Sequence, residues 1–240
     1  MIPDVPIEMI PSVKANPKTE IRTVPSGRII GLYFNCVGDP ESIYQDIRVR
    51  KALNYAVNVS EVAENILGGF VTPTGPLVPM NRHHSSEYGA YPYDPEKAKE
   101  LLKNAGYDPE DLHITIDAPK GRYLKDFEAA QAIGMQLEKI GLKVDVEANE
   151  WGHYLKLIKN CNKELSLFLL GRGERTFEGS MMQQWYQTGM PWHCFSDPAV
   201  DQAIDEAVSI VDSEQREKAM KRLEGLIWDK APWIFLWAQD

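Results

Sequence analysis

The chain has 240 residues, 43% of them hydrophobic and 25% charged, which supplies the core material that a disordered composition lacks. Its 26 Lys and Arg stand against 35 Asp and Glu, a net charge of −9 with a pI near 5.1; displacing counterions from phosphates takes a basic stripe, so this balance argues against a nucleic-acid partner. The longest apolar run, Leu165 to Leu170, contains Ser166 and falls far short of the ~18 apolar residues of a membrane span.

In chain order, Met1-Ile2-Pro3-Asp4 lacks the basic and apolar regions of an intact secretory precursor, although the chain can still be a piece of one. Pro3, Pro6, Pro11, Pro17 and Pro25 break the next stretch; proline removes a backbone donor and biases its predecessor to extended geometry, which predicts strand or linker rather than helix. Such a segment has little to bury alone and is expected to pack on something else. Ile29 to Cys36 reads as a strand. Asp46 opens a helix with Val49, Leu53, Ala56 and Val57 on one face. A short helix from Ser60 stops at Gly68-Gly69, and residues 71–93 form a long connection rich in Pro, Gly and Tyr.

Asp94-Pro95-Glu96 combines a capping Asp, a proline at the first helical position and an acid in the first turn. That helix turns Ala98, Leu101, Leu102 and Ala105 inward and ends at Gly106. His113 to Asp117 alternates as a strand, Tyr123 to Ile140 is a helix, Lys143 to Glu147 a strand, Glu150 to Lys159 a helix, and residues 165–170 a buried strand. Ser196-Asp197-Pro198 starts a helix with Val200, Ile204, Ala207, Val208 and Val211 on one stripe. Asp212 and Gln215, at capping-box spacing, start another with Ala219, Leu223, Leu226 and Ile227 inside, and Trp233 to Trp237 closes as a strand with both tryptophans in the core. Strands alternating with helices predict an α/β sheet covered by helices.

Four segments follow one another between Asp46 and Leu236, within the part of the chain, about residues 31–239, that the resemblance they carry covers. They are Asp46-Ile47-Arg48-Val49-Arg50-Lys51-Ala52-Leu53-Asn54-Tyr55-Ala56-Val57; Tyr93-Asp94-Pro95-Glu96-Lys97-Ala98-Lys99-Glu100-Leu101-Leu102 with Ala105-Gly106-Tyr107; Trp151-Gly152 before the Leu165–Gly171 strand; and Ala231-Pro232-Trp233-Ile234-Phe235-Leu236. Together they resemble the second lobe of the bacterial extracellular solute-binding proteins of the oligopeptide, dipeptide and nickel class. The resemblance implies an α/β fold, periplasmic-binding-protein-like class II, of which the chain is one lobe with a mixed sheet covered by helices. Residues 1–30 would be the tail of the first lobe or hinge, and 31–240 the second lobe. It further implies a clamp that closes on a small peptide or peptide-like solute and passes it to an ABC permease. The missing first lobe would be a partner, and the parent protein would be periplasmic or anchored outside the cytoplasmic membrane. No enzyme activity, cofactor or nucleic acid is expected. Two other readings are a solute-sensing domain of a transcriptional regulator and a nickel or metal-chelate carrier.

The loop Gly171-Arg172-Gly173-Glu174-Arg175-Thr176-Phe177-Glu178-Gly179-Ser180 follows a buried strand, and ligands in open α/β sheets collect beyond such carboxyl ends. Arg172 and Arg175 can grip a carboxylate with two prongs. Resembling members carry Gly-Trp here, then an acid that receives a peptide's amino terminus. In this sequence Arg172 occupies the Trp position and Arg175 falls on the acid, so Glu174 or Glu178 replaces it only with a shift of register. The competing readings are an exposed, self-paired charge cluster and a docking surface for the first lobe. Trp185 and Tyr186 sit among glutamines, suited either to stacking on a solute or to covering the sheet. His83-His84 reads as a solvated loop, with a transient nickel site as the alternative. Cys36, Cys161 and Cys194 read as three small buried hydrophobes; at most one disulfide is available to them, leaving one thiol over.

Overall fold

The computed structural model describes residues 5–24, 26–173 and 181–239. One six-stranded sheet organises it, in the order β2-β6-β1-β5-β3-β4. The strands are β1 (Arg28–Phe34), β2 (Val71–Pro73), β3 (His113–Pro119), β4 (Lys143–Asn149), β5 (Leu167–Gly173) and β6 (Trp233–Gln239). β1 pairs antiparallel with both β5 and β6, whereas β3 runs parallel to β4 and β5. The sheet is therefore mixed, and helices cover it as the alternation of elements predicts. The β3–β5 ladder has only two registered pairs, Ile116↔Leu167 and Asp117↔Phe168. Past them the two strands no longer pair, and the side chains of Tyr154 and Tyr123 occupy the gap between them.

Asp46 caps α2 (Ile47–Tyr55) by accepting from the Arg48 amide at 2.8 Å. Val49, Ala52 and Leu53 are buried on its inner face, but so are Arg50 and Asn54. Arg50 donates to the carbonyls of Tyr44 (2.7 Å), Gln45 (3.1 Å), Lys230 (2.8 Å) and Ala231 (3.1 Å). It thus satisfies the last carbonyls of α9 (Ser213–Lys230), which a helix leaves without internal partners. Asn54 donates to the Trp233 carbonyl at 3.0 Å and accepts from the Phe235 amide at 3.2 Å. The polar residues of this helix therefore lock it to β6.

Asn58, Asp94, Glu150, Asp197 and Asp212 cap α3 (Val59–Asn65), α4 (Pro95–Asn104), α6 (Trp151–Lys159), α8 (Pro198–Ser209) and α9 with their side chains. Trp233 and Trp237 are fully buried.

Several expectations are corrected. A helix, α1 (Ile10–Ala15), forms in the proline-rich start because Pro11 falls in its first turn, where no backbone donor is needed. Residues 71–93 contain the short strand β2. Helix α5 (Asp126–Glu138) begins three residues later than its periodicity predicts, since the Asp126 carboxylate gathers the amides of the preceding turn. Val211 lies beyond the end of α8 and is 96% exposed rather than on its apolar stripe.

The cysteines are not three equivalent hydrophobes. Cys161 and Cys194 form a disulfide with Cα atoms 5.5 Å apart across 33 residues, and Cys36 remains a buried thiol. The histidine pair is not a solvated loop either: His83 is buried, and His84 Nδ1 lies 3.0 Å from the fully buried Glu224 carboxylate on α9. Burial raises that carboxyl and the His84 bond opposes the rise.

Candidate functional site

At the carboxyl end of β3 the chain turns through Gly121, whose φ of 82° suits glycine. Asp126 then accepts from the amides of Gly121 (2.9 Å), Arg122 (2.7 Å), Tyr123 (2.8 Å) and Phe127 (2.9 Å). Four amides on one carboxylate fix a tight loop, which leaves Arg122 exposed and Tyr123 buried. At the carboxyl end of β4, Glu150 accepts from the His153 amide at 3.0 Å and starts α6 with Trp151. The two turns bring the Arg122 guanidinium 4.9 Å from the Trp151 ring and 5.5 Å from the Tyr123 ring. The rings meet edge to face with centroids 6.0 Å apart. Arg28, at the start of antiparallel β1, reaches the same end of the sheet and lies 5.8 Å from the Tyr123 centroid.

Tyrosines occupy the gap between the unpaired ends of β3 and β5. Tyr154 Oη shares its one proton between the carbonyls of Asp117 (2.9 Å) and Leu169 (2.8 Å), and Tyr123 Oη donates to that of Gly171 (3.4 Å). The Leu169 and Gly171 carbonyls therefore point away from β1 and toward these hydroxyls, as strand alternation requires. A Cβ at Gly171 would meet Tyr123 at 2.7 Å, whereas one at Gly173 would meet nothing within 4 Å among the described residues. Asp117 lies one layer down with one oxygen held by Asn149 Nδ2 at 2.9 Å and the other without a partner among the described residues; burial lifts its carboxyl to about 6.

Arg172 lies on β5, not in a free loop, and is buried. Its guanidinium donates to the carbonyls of Gln184 (3.2 Å), Trp185 (3.4 Å) and Trp192, and lies 5.2 Å from the Tyr33 ring. It thereby holds α7 (Met181–Tyr186) against the sheet. Trp185 and Tyr186 are buried on that helix, 6.5 and 5.3 Å from the Trp233 ring, and Tyr186 Oη donates to the Pro76 carbonyl at 2.8 Å. Glu174, Arg175 and Glu178 lie outside the described residues.

Arg28, Asp117, Arg122, Tyr123 and Trp151 were not singled out as binding residues by the sequence pattern. The available signal was Gly121-Arg122-Tyr123 between a strand and a helix, followed by Trp151-Gly152 at the next strand-to-helix turn. Among the described residues, Arg28, Arg122 and Arg172 have no carboxylate within ion-pair distance, although the chain carries a net charge of −9.

An open groove of about 750 Å³ lies at the other end of the sheet, lined by Lys99, Lys103, Tyr107, Glu110 and Lys139. Its lysines cluster at the carboxyl termini of α4 and α5, where cations offset the helix dipole, and acids accompany them; the aromatic, unpaired cationic end is the better candidate. Among the described residues, no group of three or more His, Cys, Asp or Glu is placed to hold a metal ion.

The model of the bacterial extracellular solute-binding proteins, family 5 (middle), matches residues 1–192. The glutathione-binding protein GsiB of Escherichia coli K12 is 27% identical over 96% of this chain and 46% of its own length. The chain thus spans about half the length of the curated relatives it matches. A Helicobacter pylori ABC transporter-associated periplasmic binding protein, DppA, in complex with the peptide STSA, superposes with a TM-score of 0.82 at 25% identity, covering 97% of this chain and 46% of that one. NikZ from Campylobacter jejuni in complex with Ni(L-His) shares the fold with a TM-score of 0.84 at 22% identity, over 98% of this chain and 50% of that one.

Proposed function

The chain belongs to family 5 of the bacterial extracellular solute-binding proteins, and from that membership we propose that it is one lobe of a receptor that delivers a peptide-like solute to an ABC permease. Residues 31–240 form this lobe, residues 1–30 lead into it from the first, and the solute is held between the two. The observation that carries the reading is the exposed Arg122 guanidinium, without a carboxylate partner among the described residues, set on the faces of Trp151 and Tyr123. Its planar fork matches a carboxylate with two parallel hydrogen bonds, and the rings hold it in place.

Beside it, Gly173, one step beyond the carbonyl that Tyr123 occupies, offers backbone to an extended solute at the end of β5. The glutathione of the GsiB name and the peptide bound to DppA are both peptide-like molecules. Closure follows from differential contacts: a solute that touches both lobes stabilises the closed state over the open one. A disulfide persists in oxidising surroundings, and Cys161–Cys194 supports a place outside the cytoplasmic membrane.

Native mass spectrometry of the protein purified without unfolding tests the reading. The expected result is an added mass of a few amino acids that is lost on denaturation. The Arg122→Gln variant should lose solute affinity by at least about tenfold, since a hydrogen bond to a charged group contributes ~1.5–3 kcal/mol. An unchanged affinity in that variant would remove Arg122 from the site.

A further inference from the structure

Two guanidiniums share one ring at the candidate site. Arg28 lies 5.8 Å and Arg122 5.5 Å from the Tyr123 centroid. Tyr123 is itself fixed, by Asp126 through its amide at 2.8 Å and by its hydroxyl on the Gly171 carbonyl at 3.4 Å. The only side-chain hydrogen bond recorded for Arg28 among the described residues is a long one, 3.5 Å, to Gln239.

Among the described residues the nearby acids are engaged elsewhere: Asp126 by four amides, Glu150 by the start of α6, and Glu8 by Lys125 at 2.9 Å. Asp117 is buried behind Asn149 and Tyr154. Neither cation is neutralised from within the described residues. In open water, solvent tolerates this; in a closed cleft the effective dielectric falls and an unmatched charge becomes costly.

We propose that the site is built for a solute with two carboxylates, Arg122 taking one and Arg28 the other, both beside Tyr123. The inference rests on the receptor reading above and makes Arg28 a specificity-determining residue. The two guanidinium carbons are at most 5.8 plus 5.5 Å apart through the ring centre. An extended peptide rises about 3.5 Å per residue, so the terminal and side-chain carboxylates of an acidic di- or tripeptide fit within that span. A solute with one carboxylate satisfies one fork and leaves the other cation sealed in the cleft without a partner.

The probes are two tripeptides of equal length, Ala-Ala-Glu and Ala-Ala-Gln, titrated into the two-lobed parent receptor, where the cleft can close, while the side-chain Nε–H signals of Arg28 and Arg122 are followed by NMR. The expected result is at least tenfold tighter binding of Ala-Ala-Glu, with both arginine signals shifting. That preference should vanish in Arg28→Gln and survive in Arg28→Lys, which keeps the charge. Equal binding of the two peptides, with Arg122 responding and Arg28 silent, overturns the two-carboxylate inference and leaves the receptor reading intact. If neither peptide moves the Arg122 signal at millimolar concentration, both fall.

Discussion

Asp117 is 7% exposed on β3, with Glu147 on the neighbouring strand and a single hydrogen bond to its carboxylate, from Asn149. Burial is the main cause that lifts its carboxyl from the ordinary 3.8 to about 6, and the Glu147 charge adds to the rise. An acid with a higher pKa in the folded state binds protons more readily there, so stability falls as pH rises through the interval between the two values. The penalty is absent below about pH 4, complete above about pH 6, and constant thereafter. Asp117→Asn retains the oxygen that accepts from Asn149 and removes the charge. Its Tm relative to the parent chain should therefore climb between pH 4 and pH 6 and level off above. A difference that is flat with pH would mean that Asp117 is already solvated as a carboxylate. Arg50 shows the opposite solution to burying charge: its fork is surrounded by four carbonyls, which satisfies the donors without any counter-charge.

Strand β5 joins the fold to the site. Its first residues pair on both sides, with β1 and β3, and its last only with β1. Gly171 and Gly173 separate these two duties. In Gly171→Ala the new methyl meets Ile30 at 2.6 Å and Tyr123 at 2.7 Å. Relieving that overlap should cost about 1–3 kcal/mol of stability and displace the ring beneath both arginines, lowering the urea midpoint and solute affinity together. Gly173→Ala meets nothing within 4 Å among the described residues, so the midpoint should stay put while affinity falls, because the methyl occupies space that a solute backbone would enter. Normal binding by both variants would exclude the β5 edge from the site. Local rules made the elements legible: Asp94, Asp197 and Asp212 announce helices that they do cap. The same rules failed where position within an element matters more than composition. Pro11 breaks a helix only if it falls past the first turn, and it falls inside it. Arg172 is charged yet buried, because three carbonyls around α7 wait for it.

At the scale of the whole chain, legibility follows distance in sequence. The class of fold was visible in the alternation of strands and helices, each set by a few neighbouring residues. The site was not, since Arg28, Arg122, Trp151 and Gly171 come from four separate segments that only the sheet order brings together. The same holds for the disulfide: three cysteines leave the pairing open, and the fold selects Cys161 and Cys194 by placing their Cα atoms 5.5 Å apart. That bond closes a loop containing all of β5, residues 174–180 and α7, so it staples the segment that carries one wall of the site. Closing about 33 residues removes unfolded-state entropy worth ~3–4 kcal/mol, or roughly 6–15 °C in Tm for a chain of this size. Reduction with dithiothreitol should lower Tm by that amount, and Cys161→Ser with Cys194→Ser should reproduce it without reductant. Solute affinity should fall in both cases even at temperatures where the chain remains folded, because the Arg172 bonds would then hold α7 without the second tether. A reduced protein that melts earlier but binds as before would confine the disulfide to stability and separate it from the site.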